Sequence, residues 1–258
     1  VTDSDIGHNA AQLFGGGMFT IGKATITGSR VHDNTAVPDG DGDAVGVGGG
    51  VMSLWLGPFQ VTDTAIDHNQ ADAGGGVVSL SNPAPFVGRS ATPHTVPPPG
   101  GGGAGTPTGP PPTTATTVST NTAPEAGGIY NAGTDSGYPA ILHLNDTTVA
   151  ANTGGGVNTQ PDGTTTLTNT IIASQATGPD CNGSAPPSAG HNPDTDATCG
   201  LTDPTDLTAT DPLLGPLDGT GAHAAHTPAP TSPAINTGPA TCAPTDQRHT
   251  TRPNGPNC

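Results

Sequence analysis

The sequence is poor in aromatic and basic residues, and both shortages narrow the function. Aromatic residues make up only 3% of 258 positions, and Lys and Arg together number 5 against 21 Asp and Glu. The formal net charge is −16, and a chain this acidic is repelled by phosphate backbones and anionic lipid headgroups. We therefore expect no nucleic-acid partner. Large aromatic platforms for sugars are also scarce.

Long apolar runs and early cysteines are missing as well. No stretch of about 18 apolar residues occurs, so we expect no transmembrane segment in this chain. Residues 1–6 already match the internal repeat described below, so we expect earlier coils ahead of them. The four cysteines all lie in the last third, within loop-like Pro, Asn and Gly sequence: Cys181, Cys199, Cys242 and Cys258.

The cysteine pattern indicates disulfides and an oxidising compartment. An even number of cysteines in such a segment predicts two bridges. Three pairings exist, and the local one (Cys181 with Cys199, Cys242 with Cys258) is favoured because each bridge closes a short loop. No spacing of Cys or His here is typical of a zinc site.

What the sequence does contain is an internal repeat of two motifs. One is a glycine triplet that opens onto a short apolar segment; the other is an aliphatic residue followed three positions later by Asn. The glycines are Gly15, Gly16, Gly17, Gly48, Gly49, Gly50, Gly74, Gly75, Gly76, Gly127, Gly128, Gly154, Gly155 and Gly156. The asparagines are Asn9, Asn34, Asn69, Asn121 and Asn152, with a degenerate sixth copy at Gln175.

The spacing of the repeat predicts an all-β, right-handed parallel β-helix of about six coils. Between the motifs lie short Thr-, Val- and Ile-rich segments that alternate with period two, such as Gln60–Ile66 and Thr165–Ile172. A strand-only unit of this length buries its apolar face only by stacking on its neighbour. We expect the glycines in sharp turns. The asparagines should adopt the left-handed conformation there and bond from coil to coil.

The chain divides into a solenoid and a cap. Residues 1–178 are predicted to form the coils, interrupted by a low-complexity loop at 81–116 that is rich in Pro and Gly. Such a loop cannot pack a core, and we interpret it as disordered rather than ligand-binding. Residues 179–258 lose the repeat and form a Cys-containing, disulfide-pinned tail packed on the solenoid.

Acidic and histidine residues supply the candidate sites. Asp39, Asp41 and Asp43 alternate as at the start of a calcium loop, but Ala44 and Gly50 stand where that loop needs Gly and an acidic ligand. A solvated acidic turn is the preferred interpretation, with Ca²⁺ the one cofactor considered. Stacking would also bring together three histidines beside the repeat asparagines, for which metal or acid–base roles compete with a role as surface turn residues: His8, His32 and His68.

The clearest repeat, Gly127–Asn131 together with Val118–Ala123, resembles bacterial right-handed parallel β-helix proteins, including the polymorphic outer-membrane-protein-like group. The last third is similar to the tail of secreted choice-of-anchor Q proteins. Its matching segments are Asp180–Cys181, Gly190–Asn192, Cys199–Thr202, Asp211–Leu217, Ser232–Ile235, Thr245–Arg248 and Arg252–Pro253. The family's final strand after the last Cys is missing, so we expect more chain beyond Cys258. The resemblance implies secretion to the extracellular space or the bacterial cell surface, and it implies no activity.

Two functions follow as hypotheses. The first is a non-catalytic extracellular or cell-surface solenoid, structural or adhesin-like, with a polysaccharide or a host or cell-surface glycan as ligand. The alternative is a polysaccharide lyase or glycoside hydrolase on the pectate-lyase-like scaffold. A lyase needs a basic residue, and Arg248 and Arg252 are better explained as ion-paired, tail-locking residues. A hydrolase needs two facing carboxylates, for which stacking could offer a column of four, although aspartates at these positions more often cap turns: Asp5, Asp33, Asp63 and Asp67. The sequence favours the non-catalytic protein, and no catalytic residue is assigned.

Overall fold

The structure is a computed structural model that describes residues 1–38, 44–54, 59–81, 113–133, 140–240, 242–253 and 255–257. In these ranges the secondary structure is strand, apart from one 3-10 turn at Gly221–His223. The strands are β1 (Asp5–Gly7), β2 (Ala10–Ala11), β3 (Met18–Ile21), β4 (Ala24–Thr27), β5 (Arg30–His32), β6 (Thr35–Ala36), β7 (Val51–Leu54), β8 (Phe59–Thr62), β9 (Ala65–Asp67), β10 (Gln70–Ala71), β11 (Val77–Leu80), β12 (Thr113–Thr114), β13 (Thr117–Ser119), β14 (Ile129–Ala132), β15 (Ala140–Asn145), β16 (Thr148–Ala150), β17 (Val157–Thr159), β18 (Gly163–Thr168), β19 (Ile171–Ala173), β20 (Cys181–Gly183), β21 (Leu214–Asp218) and β22 (Ala225–Pro228).

Three parallel sheets form the body of the molecule. Sheet I contains β1, β5, β9, β13, β16 and β19; sheet II contains β3, β7, β11, β14, β17 and β20; sheet III contains β4, β8, β12, β15 and β18. A minor parallel sheet joins β2, β6 and β10, while β21 and β22 pair antiparallel. The chain visits sheet I, the minor sheet, sheet II and sheet III in turn, then starts the next coil. The protein is therefore a parallel β-helix, as the repeat predicts, and right-handed winding is the expected hand for such crossovers.

The interior is a column of aliphatic side chains contributed once per coil by each sheet. In sheet I the parallel register aligns Ile6, Val31, Ile66, Val118, Val149 and Ile172. The equivalent column of sheet II runs from Met18 to Cys181, and both belong to one buried apolar cluster. A core of this shape needs few aromatic residues, which explains how a chain with so few aromatic side chains still folds.

The corners between sheets III and I differ from the prediction. The segments Gln60–Ile66 and Thr165–Ile172, expected as single strands, are each divided by a residue with positive φ: Asp63 (φ 48) and Asn169 (φ 48). The next residue, Thr64 or Thr170, is buried and donates its hydroxyl to the carbonyl two residues before it, that of Thr62 or Thr168. The period-two pattern hides the corner because Thr suits both strand and turn.

The repeat asparagines form one continuous ladder inside the next corner. The backbone N–H and the side-chain amide of Asn34 both donate to Oδ1 of Asn69, at 3.0 and 2.9 Å. The same pair of bonds links Asn9 to Asn34, Asn69 to Asn121 and Asn121 to Asn152, and Gln175 accepts the last pair. The left-handed conformation expected of the asparagines is instead adopted by the preceding residue, for example His68 (φ 56) before Asn69. The turn thus directs the amide inward.

The glycine triplets face this ladder. A Cβ at Gly76 would lie 2.7 Å from the carbonyl oxygen of Gly128 and 2.9 Å from the side-chain amide of Asn121. The first glycine of the triplet, Gly74, has a φ of 63. One glycine therefore allows the turn, and the later one allows the stacked backbones and the ladder to approach. This contact explains why the two motifs recur together.

Coil stacking runs past both predicted boundaries. Strand β12 pairs with β8 and β15, so sheet III resumes at Thr113, inside the predicted 81–116 loop. At the other end β20 adds to sheet II after residue 178, and Cys181 takes the last position of the core column. Its disulfide to Cys199 and an isolated parallel β-bridge between the backbones of Ile172 and Asp194 close this end of the solenoid.

Candidate functional site

Two outward rows of sheet I, with the corner that follows them, carry a cluster of ionisable side chains near the start of the solenoid. The register places Asp5, Arg30, Ala65, Thr117, Thr148 and Ile171 in one row, and Gly7, His32, Asp67, Ser119, Ala150 and Ala173 in the next. We call the part formed by β1, β5 and β9, with the corner residues His8, Asp33 and His68, the charged face. Charged and imidazole groups occupy this face, whereas the later coils carry small or hydroxyl residues and, at Ile171, an aliphatic one in the same rows.

His32 is held between two carboxylates on the charged face. Its Nε2 lies 2.5 Å from Oδ1 of Asp5, and its Nδ1 lies 2.7 Å from Oδ2 of Asp33. Burial of the imidazole lowers its pKa, but the hydrogen bonds to Asp33 and Asp5 outweigh burial and leave the pKa above the ordinary value. The same bond to His32 lowers the pKa of the Asp33 carboxyl. The two carboxylates therefore stabilise the protonated imidazole relative to the neutral one.

His8 completes a group of three potential metal ligands. Its ring packs edge-on against that of His32, with centroids 5.4 Å apart, and its backbone N–H donates to the His32 carbonyl at 3.2 Å. One ligand atom each from His8, His32 and Asp33 lie within 4.8 Å of one another. Stacking thus brings together two of the three predicted histidines.

The third predicted histidine, His68, belongs to a second cluster. Its Nδ1 lies 2.8 Å from Oδ1 of Asp67, which is fully buried. Arg30 donates to both oxygens of Asp67 at 2.9 and 2.6 Å, and this hydrogen bonding raises the pKa of the guanidinium. Sequence reasoning found no partner for Arg30. The partner becomes visible when Val31-His32 is aligned with Ile66-Asp67, because Asp67 is then diagonal to Arg30 on the next coil.

The predicted column of four aspartates is wrong. Asp5 and Asp67 lie on sheet I in different outward rows. Asp33 lies at the corner after sheet I, whereas Asp63 lies at the corner before it. The four carboxylates occupy four different rows because the inserted loops change the spacing while the stacking register stays constant. They do not form the facing pair that a hydrolase needs.

A cleft opens where the C-terminal tail docks on sheet I. We call residues 213–240, 242–253 and 255–257 the docking tail, and the space between it and the solenoid the tail cleft. Its volume is about 400 Å³. Eight threonines line it, four from the solenoid and four from the tail: Thr116, Thr117, Thr147, Thr148, Thr227, Thr237, Thr250 and Thr251. Two carboxylates and two guanidinium groups lie in the same lining, those of Asp146, Asp246, Arg248 and Arg252.

Ion pairs hold both cleft arginines, in the roles that the sequence favours for them. Arg252 crosses to the solenoid and lies 3.5 Å from Asp146. Arg248 pairs within the tail with Asp246 at 2.9 Å, and Asp246 also accepts the backbone N–H of Thr250. The charges of the cleft are therefore matched in pairs.

Gln247 anchors the tail and was missed by sequence reasoning. The side chain is buried, donates to the carbonyls of Ala222 and Ala224 at 2.6 and 3.1 Å, and accepts the hydroxyl of Thr117 at 2.8 Å. Gln247 lies in the segment Thr245–Arg248 that resembles the choice-of-anchor Q tail, but the resemblance assigns it no role, and a single Gln in a segment without periodicity carries no further pattern.

Two histidines that appear isolated in the sequence also hold the tail. Nε2 of His226 lies 2.7 Å from the hydroxyl of Ser119 on sheet I, and its Nδ1 lies 2.7 Å from the Gly215 carbonyl. His223 contacts the Gln247 carbonyl at 2.8 Å. Although Ser119 and His226 are placed like a nucleophile and its base, Ser119 has no exposed surface. The pair therefore serves docking.

Some of the residues predicted as calcium ligands or disulfide cysteines are not among those that the structure describes. The calcium candidates Asp39, Asp41 and Asp43 lie outside the described residues, as does Cys258. Cys181 and Cys199 are bonded to each other, and Cys242 is also disulfide-bonded.

Within the described part of the chain, no helix has the length and apolarity needed to cross a bilayer. No protein-family model, curated protein or solved structure matches this chain.

Proposed function

We propose that this protein is a non-catalytic solenoid of the extracellular space or the bacterial cell surface, structural or adhesin-like, which binds a neutral glycan in the tail cleft. The observation that carries the proposal is the lining of that cleft. Its half-buried or exposed threonines, among them Thr148, Thr250 and Thr251, and its paired charges line a space of about 400 Å³, and they match the hydrogen-bonding demands of a sugar better than those of an apolar ligand.

The pairing of charges favours binding over catalysis. A glycosidase works with two free carboxyl groups on either side of the scissile bond. In the tail cleft Asp146 is paired with Arg252 and Asp246 with Arg248. Carboxylates that are neutralised in this way orient hydroxyl groups but are poor general acids or bases, so a bound glycan would leave unchanged.

The disulfides support an extracellular location. The bond between Cys181 and Cys199 sits at the end of the core column, where the solenoid needs a cap. Disulfides of this structural kind persist in oxidising compartments and are rare in the cytosol.

A glycan panel with a matched pair of variants tests the proposal. Thr148→Val removes one outward hydroxyl from the cleft on β16 and keeps a β-branched side chain. Thr166→Val makes the same change on sheet III, away from the cleft lining. We expect calorimetry to detect binding of a neutral oligosaccharide that Thr148→Val weakens by about fivefold or more, from the loss of about one hydrogen bond. Thr166→Val should bind as the unaltered protein does.

The same panel tests the catalytic alternative. Each polysaccharide is incubated with the protein and assayed for new reducing ends and for unsaturated products. We expect neither to accumulate. Product formation, or binding that falls equally in the two variants, would overturn the proposal.

A further inference from the structure

We propose that the charged face holds one divalent transition-metal ion of the zinc type, bound by His8, His32 and Asp33. This site is separate from the tail cleft and does not rest on the glycan proposal. The three residues come from two consecutive coils, and their ligand atoms already lie within 4.8 Å of one another.

The ligands have the positions that a small metal site needs. Zn–N and Zn–O bonds of about 2.0–2.2 Å in a tetrahedral site place ligand atoms about 3.3 Å apart. Nδ1 of His32 and Oδ2 of Asp33 are 2.7 Å apart, and the ligand atom of the exposed His8 side chain lies within 4.8 Å of both, so binding requires these side chains to shift into the tetrahedral spacing. Three protein ligands leave the fourth position to water, as in zinc sites that are open to solvent.

Asp5 supplies the outer partner that a metal-bound imidazole usually has. If Nδ1 of His32 binds the ion, Nε2–H donates to Oδ1 of Asp5, which lies 2.5 Å away. Such a carboxylate fixes the ring orientation and makes the imidazole a stronger ligand. Asp5 is therefore a positioning residue.

Gly7 provides the space for the imidazole. It is the register partner of His32 on β1, and a Cβ there would lie 2.6 Å from both Cε1 and Nε2 of the ring. Because real Cβ atoms do not approach so closely, any larger residue would displace His32 from its two carboxylates. The absence of a side chain at Gly7, on the neighbouring coil, thus leaves the space that the His32 ring occupies.

The donor set determines the class of ion. Two imidazole nitrogens suit Zn²⁺, Cu²⁺ or Ni²⁺, whereas Ca²⁺ and Mg²⁺ prefer all-oxygen sites of higher coordination number. The net charge of −16 attracts cations in general, so selectivity and position, rather than binding alone, identify the site.

The test uses untagged, chelator-treated protein titrated with ZnCl₂ in a calorimeter, and with CoCl₂ followed by visible absorption. We expect one high-affinity ion per chain and the intense visible bands of tetrahedral cobalt. His8→Ala should weaken binding by about a hundredfold and Asp5→Asn by about tenfold, in the range seen for lost ligands and outer partners.

His68→Ala is the matched control. His68 occupies the same repeat position as His8 two coils later and is also exposed; its ring is bonded to Asp67 and it is not one of the group of three, although its charge also helps to lower the pKa of Asp33. The variant should bind zinc as the unaltered protein does, and both histidine variants should lose a similar, small amount of thermal stability, because each places Ala at a left-handed position (φ 59 and 56). Equal weakening in the two histidine variants, zinc binding that survives His8→Ala, or Ca²⁺ binding as tight as Zn²⁺ would overturn the site.

Discussion

The first coils and the later coils share one backbone and one core, but they present different outer surfaces on sheet I. In the first coils the outward residues are Asp5, Arg30, His32 and Asp67, which form ion pairs and a ligand group. In the later coils Thr117 and Ser119 take the equivalent positions, and the docking tail bonds to both.

The contrast separates what the repeat determines from what it leaves free. On sheet I the inward positions are aliphatic in every coil, because each side chain packs on the coil above and below. The outward positions of this sheet face solvent or the tail, so they vary without cost to the core. We infer that specific chemistry in this protein belongs to the outward rows, and that the ladders inside are scaffold.

The largest effect should come from the scaffold that both regions share. Asn121 accepts two bonds from Asn69 and donates to the Ile66 carbonyl and to Asn152, all in the buried interior. Asn121→Ala leaves several of these groups unpaired, so the free energy of unfolding should fall by about 4 kcal/mol. Asn9→Ala at the exposed first rung should cost about 1 kcal/mol. Urea denaturation measures the free energy of unfolding of both variants. Equal losses would show that the buried rungs stabilise the fold no more than the exposed first rung does.

The second prediction compares the ion pairs of the two regions. Arg30→Ala removes the bidentate partner of fully buried Asp67 and should lower the free energy of unfolding by about 3 kcal/mol. Arg252→Ala breaks a partly exposed pair with Asp146 that is 3.5 Å long and should cost less than about 1 kcal/mol. Denaturation at low and high salt checks this, since the exposed pair should also be the salt-sensitive one. The reverse ranking would contradict the assignment.

The third prediction removes the cover from the later coils. Gln247→Ala loses one buried hydrogen bond from Thr117 of sheet I and two buried hydrogen bonds to carbonyls within the tail, and we expect the free energy of unfolding to fall by about 2 kcal/mol. Limited proteolysis should then cut the docking tail before the solenoid. Gln70→Ala, an exposed change on β10, is the control and should leave the cleavage pattern unaltered. Identical digestion of the two variants would argue against Gln247 as the anchor.

The fourth prediction concerns how the two regions hold carboxylates. His32 lowers the pKa of Asp33, whereas burial raises the pKa of Asp180, beside the last core residue, to about 6. Between about pH 4 and 6 the folded chain therefore keeps a proton on Asp180 that the unfolded chain releases. Stability should accordingly fall as the pH rises through this window, by at most about 1.4 kcal/mol per pH unit.

Asp180→Asn should flatten that part of the profile, because the amide does not titrate. Asp211→Asn, at an exposed residue of the loop that follows, is the control and should keep the slope. Denaturation at a series of pH values measures each profile, and an unchanged slope in Asp180→Asn would contradict burial as the cause.

The fold was predictable because its signal is periodic. The recurrence of Asn34, Asn69 and Asn121 with the glycine triplets identifies a stack, and a stack of short strands is a parallel β-helix. The corner at Asp63 was not visible because the residues on both sides have strand character. The left-handed residue of the turn was also misassigned: His68, rather than Asn69, takes the left-handed conformation.

The site was less predictable because it depends on register across insertions. His8 and His32 are close in sequence, so their approach could be anticipated. The pairing of Arg30 with Asp67 spans 37 residues and requires knowing which of them belong to a loop. The docking of Gln247 on Thr117 spans 130 residues and has no periodic signal.

Anomalous diffraction at the zinc edge is the most direct test that the outward rows of the first coils carry specific chemistry. Crystals grown with one equivalent of Zn²⁺ should show a single strong peak bonded to His8, His32 and Asp33, with Asp5 hydrogen-bonded to His32. A peak elsewhere, such as at the contacting rings of His223 and His249, with none on the charged face, would contradict it.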